Sequence, residues 1–226
     1  MTLLKTAFLL AKKDLYSELK TKQVLTTMII FAGLTILVFS FAFDPANNTT
    51  KAFIPGVIWV IICFSGILGL NRSFLSEQRN DTMQGLLIAP MDAQSIYLGK
   101  FIANFSMILI VEIVAIPFLF LLFDFKILGS IPYFILVMFI GSFGFISIGT
   151  FLASLAANSK SSEMLLPLLL FPITSPILIG VVQATRIMLT NIENLASALA
   201  WIQLVSAYDV IFFVLCFILI DYVLEV

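Results

Sequence analysis

Residues 71–100, NRSFLSEQRNDTMQGLLIAPMDAQSIYLGK, form a polar insert with charges of both signs between two apolar runs, Phe53–Leu70 and Phe101–Phe123. Crossing a hydrocarbon layer of about 30 Å takes roughly 20 apolar residues at helical rise, with every backbone group bonded internally. Both runs meet that requirement, so the insert reads as a loop between two membrane spans. The rest of the chain agrees. Hydrophobic residues make up 61% of it, charged residues 11%, and the mean hydropathy is +1.13. No soluble domain has an interior able to hide that much apolar surface, so the fold class is all-α and polytopic.

Six runs qualify as spans: about Val24–Phe43, Phe53–Leu70, Phe101–Phe123, Ile131–Ala157, Met164–Val182 and Val205–Ile220. No repeat or low-complexity stretch divides them, and a single transmembrane domain over residues 1–226 is the simplest organisation. Orientation follows from Lys and Arg. With the N-terminus inside, the inner side holds Lys5, Lys12, Lys13, Lys20, Lys22, Arg72, Arg79, Lys100 and Lys160, against Lys51, Lys126 and Arg186 outside. Both termini are then expected on the cytoplasmic side. Residues 1–23 interleave Leu and Phe with Lys at helical spacing and lack a cleavage site. They are expected to form an amphipathic helix lying in the interface rather than a signal peptide. Residues 183–204 repeat the helical pattern on the outer side, with Trp201 as an interfacial anchor. They are expected to form a periplasmic amphipathic segment.

On the inner side, the insert acquires a grammar. The helix of the second span meets no breaker before Arg79 and is expected to project beyond the membrane. Asn80-Asp81 then offers an N-cap, with Gln84 three residues after Asp81 in a capping-box-like spacing, opening a short helix from Thr82 to Ala89 that closes at Pro90. Asp92 is placed to cap the helix leading into the third span. The expected product is a cytoplasmic elbow over residues 71–100. In transporters driven by a separate ATPase, such a transverse helix sits in a groove of the nucleotide-binding subunit. An elbow resting on lipid is the plainer alternative. The candidate ATPase-coupling residues are Glu77, Arg79, Asp81, Gln84, Leu86, Leu87 and Pro90.

Three stretches carry a family resemblance: PGVIWVIICFSGILGLNRSF (55–74), GLLIAP (85–90) with YLGK (97–100), and the proline-rich LLPLLLFPITSPILIG (165–180). They resemble the haem exporter protein B family, CcmB, of cytochrome c maturation, over about half the chain. The chain has Asn80-Asp81-Thr82-Met83-Gln84-Gly85 where that family usually reads Asp-Gly-Thr-Leu-(Asp or Glu)-Gly. It has Asn71 where an acidic residue often precedes the Arg. The resemblance implies a type-2 ABC exporter permease fold and a non-catalytic membrane subunit. Its implied partners are an ATPase subunit (CcmA) holding ATP and Mg, then CcmC, CcmD and, indirectly, the haem chaperone CcmE, with a second copy of the chain. Haem would be handled by the complex, with no cofactor bound by this chain alone.

The residues themselves are consistent with that division of labour. Gly99-Lys100 is followed by Phe101 rather than Ser or Thr, and position 94 is Gln rather than Gly, so no phosphate-cradling loop exists here. The chain has no histidine, which rules out a His-liganded zinc site or haem built from this chain alone. Nothing points to nucleic acid. Cys63 and Cys216 fall inside apolar runs and read as small buried hydrophobes.

Within the spans, Glu112 is the clearest carboxylate inside an apolar run. It is expected to face the bundle interior, as a relay or partner contact, or as a neutral group bonded across helices. Asp209 reads as a cap at the outer start of the last span. Pro172 and Pro176, four residues apart on one face and following Pro167, are expected to kink or break the fifth span and are candidates for a hinge. Gly149, Ala153 and Ala157 form a small-residue row suited to close packing. Other ABC permease cargoes remain open, as does a stand-alone secondary transporter or scaffold in which Glu112 carries protons or merely packs.

Overall fold

The computed structural model describes residues 3–43, 51–79, 92–157, 162–190 and 195–224. Among these the chain is all helical: α1 (Leu3–Thr21), α2 (Gln23–Ala42), α3 (Ile54–Arg79), α4 (Ala93–Leu122), α5 (Ile131–Ala157), α6 (Ser162–Thr190) and α7 (Leu195–Leu224). Six of them, α2 to α7, are long and apolar enough to cross a membrane.

α5 is the axle. It packs on α3, α4, α6 and α7, and those four close a ring around it, α3 on α4, α4 on α7, α7 on α6 and α6 on α3. α2 lies outside the ring against α3 and α4. Composition explains why α5 takes the centre. Its buried positions include Gly141, Ser142, Gly144, Ser147, Gly149, Thr150, Ala153, Ser154, Ala156 and Ala157, and small residues let neighbouring helices approach closely where lipid gives no hydrophobic drive. Trp59 of α3 fills the space a side chain at Gly141 would need, and Leu70 of α3 does the same at Gly149. The row Gly149, Ala153, Ala157 is buried within the subunit, as its spacing predicts.

Larger side chains wedge the remaining seams. Between α4, α5 and α7, Phe101 meets Phe143 edge-on at 5.1 Å and Phe213 at 5.7 Å, and Phe105 meets Phe139 at 5.1 Å, separations typical of favourable aromatic pairs. At one end of the bundle the α4–α5 loop leans on α6. Leu128 N–H donates to the Leu189 carbonyl at 3.2 Å, and Gly129 abuts the Met188 backbone so closely that no β-carbon fits.

The N-terminal helix is seated rather than loose. Ala7 and Ala11 are buried, and the helix packs on α4. Its exposed positions include Leu4, Phe8, Leu9 and Leu19 together with Lys5, Lys12 and Lys20. Lys22 turns the chain into α2 with φ 54°, in the left-handed region. Glu18 stabilises that turn by accepting from Leu25 N–H at 2.8 Å, one of the first-turn donors that a helix leaves unpaired.

Several boundaries differ from the hydropathy reading. Helix α4 begins at Ala93, ahead of the apolar run at Phe101, and Asp92 stands at its N-cap without a side-chain capping bond; its carbonyl instead accepts from Ser95 N–H at 2.9 Å. Residues 183–204 are not a separate surface element. Among the described residues, 183–190 close α6 and 195–204 open α7, with Ala184, Met188, Ala198 and Ile202 all buried. The last span is therefore longer than expected. The proline-rich helix is unbroken, running from Ser162 to Thr190 through Pro167, Pro172 and Pro176.

Candidate functional site

Two carboxyl groups lie inside the bundle on opposite flanks of α5. Glu112 of α4 is 6% exposed, and Ser142 of α5 donates its hydroxyl to the Glu112 carboxylate through a short hydrogen bond. This is the interior-facing placement expected for an intramembrane carboxylate. The Glu112 side chain also borders a cavity of about 10 Å³ between α3 and α4, lined by Ile58, Ile62, Val111 and Ala115, with room for about one water at most. Two residues further along α5, and so on roughly the opposite face at 3.6 residues per turn, Gly144 receives Asp209 of α7.

Asp209 overturns its expected role as a cap. It lies near the middle of α7, is 3% exposed, and neither carboxyl oxygen has a hydrogen-bond partner among the described residues. Hydropathy along the chain cannot foresee this, because the space that admits the carboxyl is made by the missing side chain at Gly144. Tyr208, its neighbour, donates to the Ile173 carbonyl of α6 at 2.7 Å and so fixes α7 against the proline-rich helix. Asn104 is buried on α4, and like Thr150 of α5 it has polar side-chain atoms without a partner among the described residues.

The prolines play a local part that spacing alone leaves undefined. Pro176 has no N–H to give the Pro172 carbonyl. Ser175 supplies the substitute, its hydroxyl donating to that carbonyl at 2.9 Å. Pro172 and Ser175 are exposed on the outer face of α6, with Leu168 and Ile179.

The coupling candidates divide. Helix α3 extends to Arg79, so Glu77 and Arg79 fall in its last turns, as expected. Asp81, Gln84, Leu86, Leu87 and Pro90, with the whole Thr82–Ala89 helix, lie outside the described residues.

At the roots of that insert the structure places a node that no sequence pattern signalled. Lys100 of α4 is 5% exposed and pairs with Asp14 of α1 at 2.8 Å. The same ammonium reaches the Ser73 carbonyl of α3 at 3.4 Å. Asp14 also pairs with the exposed Lys13 at 3.1 Å. Nearby, Tyr97 shares a hydrogen bond with the Ser147 hydroxyl at 2.8 Å, and Gln94 donates to Asp221 at 3.0 Å, tying the start of α4 to α5 and α7. A further interhelical bond, Trp59 Nε1–H to Thr185 Oγ1 at 2.9 Å, joins α3 to α6.

Among the described residues, no three His, Cys, Asp or Glu side chains converge to hold a metal ion, and both cysteines are free and buried. Polar side chains in the bundle serve mainly to link helices. Fold and site together define a polytopic, all-helical membrane protein organised around a small-residue central helix with two carboxyl groups at its flanks. Residues 5–224 match the family model described as CcmB protein, and the chain belongs to that family. Heme exporter protein B of Pseudomonas aeruginosa is 24% identical over 164 residues, covering 71% of this chain and 73% of that protein. Heme exporter protein B of Escherichia coli K12 is 26% identical over 74 residues, covering 33% of this chain and 34% of that protein.

Proposed function

We propose that this chain is the membrane-spanning permease subunit of an ABC transporter that serves cytochrome c maturation in a bacterial inner membrane, with both termini cytoplasmic. The family match over residues 5–224 carries this reading. In it, a separate ATPase of the CcmA kind binds ATP and Mg and grips the elbow between Arg79 and Asp92. Hydrolysis is coupled through α3 and α4 to haem delivery or to release of a haem-loaded periplasmic chaperone of the CcmE kind, with CcmC-like and CcmD-like subunits beside it. A second copy of the chain completes the membrane unit.

The physical logic is mechanical. In this reading the chain receives its energy as motion from the ATPase, and motion delivered at the ends of α3 and α4 that flank the elbow reaches the central helix at once. α3 fills the small-residue notches of α5 with Trp59 and Leu70, and α4 grips it through Tyr97 and Glu112. Purification of the tagged protein in mild detergent tests the reading. An ATPase and a haem-binding partner should copurify with it. Their absence, together with proton-coupled flux by the isolated protein, would instead favour a stand-alone secondary transporter using Glu112.

A further inference from the structure

We propose that the Asp14–Lys100 ion pair is the joint that fastens the N-terminal helix to both roots of the cytoplasmic elbow, so that α1 moves with the elbow and carries its displacement to α2. This rests on the reading of the chain as the membrane partner of an ATPase, and it assigns a coupling role to Asp14, outside the elbow itself.

One ammonium group meets three helices. Lys100 sits on α4 two turns after its start at Ala93, where its Nζ donates to the Asp14 carboxylate of α1 at 2.8 Å and to the Ser73 carbonyl of α3 at 3.4 Å. Lysine is almost never buried this deeply without a partner, and its three donors suit a three-way junction. Ser73 stands near the first residue of the 71–100 elbow and Lys100 is its last. The bond between them therefore clasps the two strands of chain that enter and leave the elbow.

α1 is held on this clasp by two further contacts of a different kind. Ser95 Oγ donates to the Leu3 carbonyl at 3.3 Å. Gly99 lies against the Ala7 carbonyl and the Leu10 β-carbon, leaving no space for a side chain of its own. Those contacts join α1 to α4, and Lys100, paired with Asp14 and bonded to the Ser73 carbonyl, carries the link on to α3. At its other end α1 meets α2 through a stiffened turn, where Lys22 is left-handed and Glu18 accepts from Leu25 N–H at 2.8 Å. The route is continuous: elbow roots, Lys100, Asp14, α1, the Glu18 turn, α2. Because steric seating and charge pairing are separable, loss of the pair leaves α1 seated on α4 and removes its link through Lys100 to α3.

The test uses the intact complex in membranes, with Asp14→Asn, Lys100→Met and the exchange Asp14→Lys with Lys100→Asp. ATPase copurification, ATP hydrolysis, thermal stability and the yield of mature cytochrome c per ATP are measured together. Each single variant should retain the ATPase and its hydrolysis within about twofold, while yield per ATP falls about fivefold or more. The exchange restores the α1–α4 charge pair but not the bond to the Ser73 carbonyl, which a carboxylate cannot make, so it should restore part of that yield, a rescue that a purely structural role for Lys100 alone does not produce. Should Lys100→Met fail to fold, Asp14→Asn and the exchange decide the matter. Wild-type yield per ATP in the single variants, or uncoupling that the folded exchange does not relieve, overturns the joint and leaves the functional reading standing. A wild-type protein that retains no ATPase overturns both.

Discussion

The carboxyl group of Asp209 occupies the space beside Gly144 that a β-carbon would fill. A long polar side chain has been fitted into a bundle by deleting a side chain on the facing helix, and the two positions are coupled by volume. Gly144→Ala should force α5 and α7 apart and cost about 1–3 kcal/mol, as overpacking does in a filled core. Asp209→Ala in the same chain should recover most of that loss, since residues in contact depart from additivity. Thermal unfolding of the four proteins in one detergent measures the cycle, and strict additivity would show that the seam yields elsewhere.

Glu112 and Ser142 form the opposite case, a carboxylate with a partner. Ser142→Ala should cost about 1–3 kcal/mol, because it leaves a buried acceptor unmet. Glu112→Gln keeps the acceptor oxygen facing the Ser142 hydroxyl and should stay within about 1 kcal/mol of wild type. If Glu112 serves packing, transport output follows stability in both variants. Output abolished in Glu112→Gln at unchanged stability would make it a proton relay.

Much of the bundle is written in the order of the residues. The six apolar runs, the amphipathic stretch 1–23 and the long helix to Arg79 are all local patterns, set by helical rise and hydrophobic thickness. Glu112 was legible for the same reason, since an ionisable group within an apolar run has to turn inward. What could not be read is pairing between distant positions. Asp209 resembles a cap until Gly144 is seen opposite it, and Lys100 resembles a loop-edge cation until Asp14 closes on it. The stretch 183–204 misled because amphipathic spacing is shared by a helix lying on a membrane and by span ends packed in a bundle. Its buried Ala184, Met188 and Ala198 settle which applies.

The elbow offers a prediction that rests on the proposed ATPase partner. Glu77→Lys, Arg79→Glu and Leu86→Pro should each leave the membrane bundle as stable as wild type, because the sequence puts these positions in the polar insert rather than in a span. Cytochrome c output per ATP should fall about fivefold or more, the usual range for a lost coupling energy. Side-by-side assays of hydrolysis and output in membranes measure this. Full coupling in all three variants would remove the elbow from the energy path.

The seam between α3 and α6 depends on one indole. Trp59 Nε1–H donates to Thr185 Oγ1 at 2.9 Å, with both residues buried. Trp59→Phe keeps much of the ring against Gly141 but abandons the hydroxyl, at an expected cost of about 0.5–1.5 kcal/mol. Adding Thr185→Val removes the orphaned group and should return part of that cost. Unfolding midpoints of the two variants decide it, and no recovery would mean that Thr185 finds another donor.

Ser175 and Pro176 make a separable pair on the outer face of α6. The Pro172 carbonyl lacks the backbone donor that residue 176 would normally give, and the Ser175 hydroxyl replaces it at 2.9 Å. In a hydrocarbon layer an unmet carbonyl finds no water, so Ser175→Ala in the natural background should cost about 1–3 kcal/mol. Pro176→Ala restores the N–H, and the same Ser175→Ala change should then cost less than about 0.5 kcal/mol. Midpoints for the four chains in one lipid composition give the interaction energy directly. Equal costs in both backgrounds would show that the Pro172 carbonyl is served by another group and that the serine is incidental. Unequal costs would establish that α6 passes its prolines by a side-chain repair, which leaves that turn held by one exchangeable hydroxyl. A turn held in this way bends more readily than a backbone-bonded one, so Pro176→Ala should also stiffen α6 and slow any transport step that flexes it.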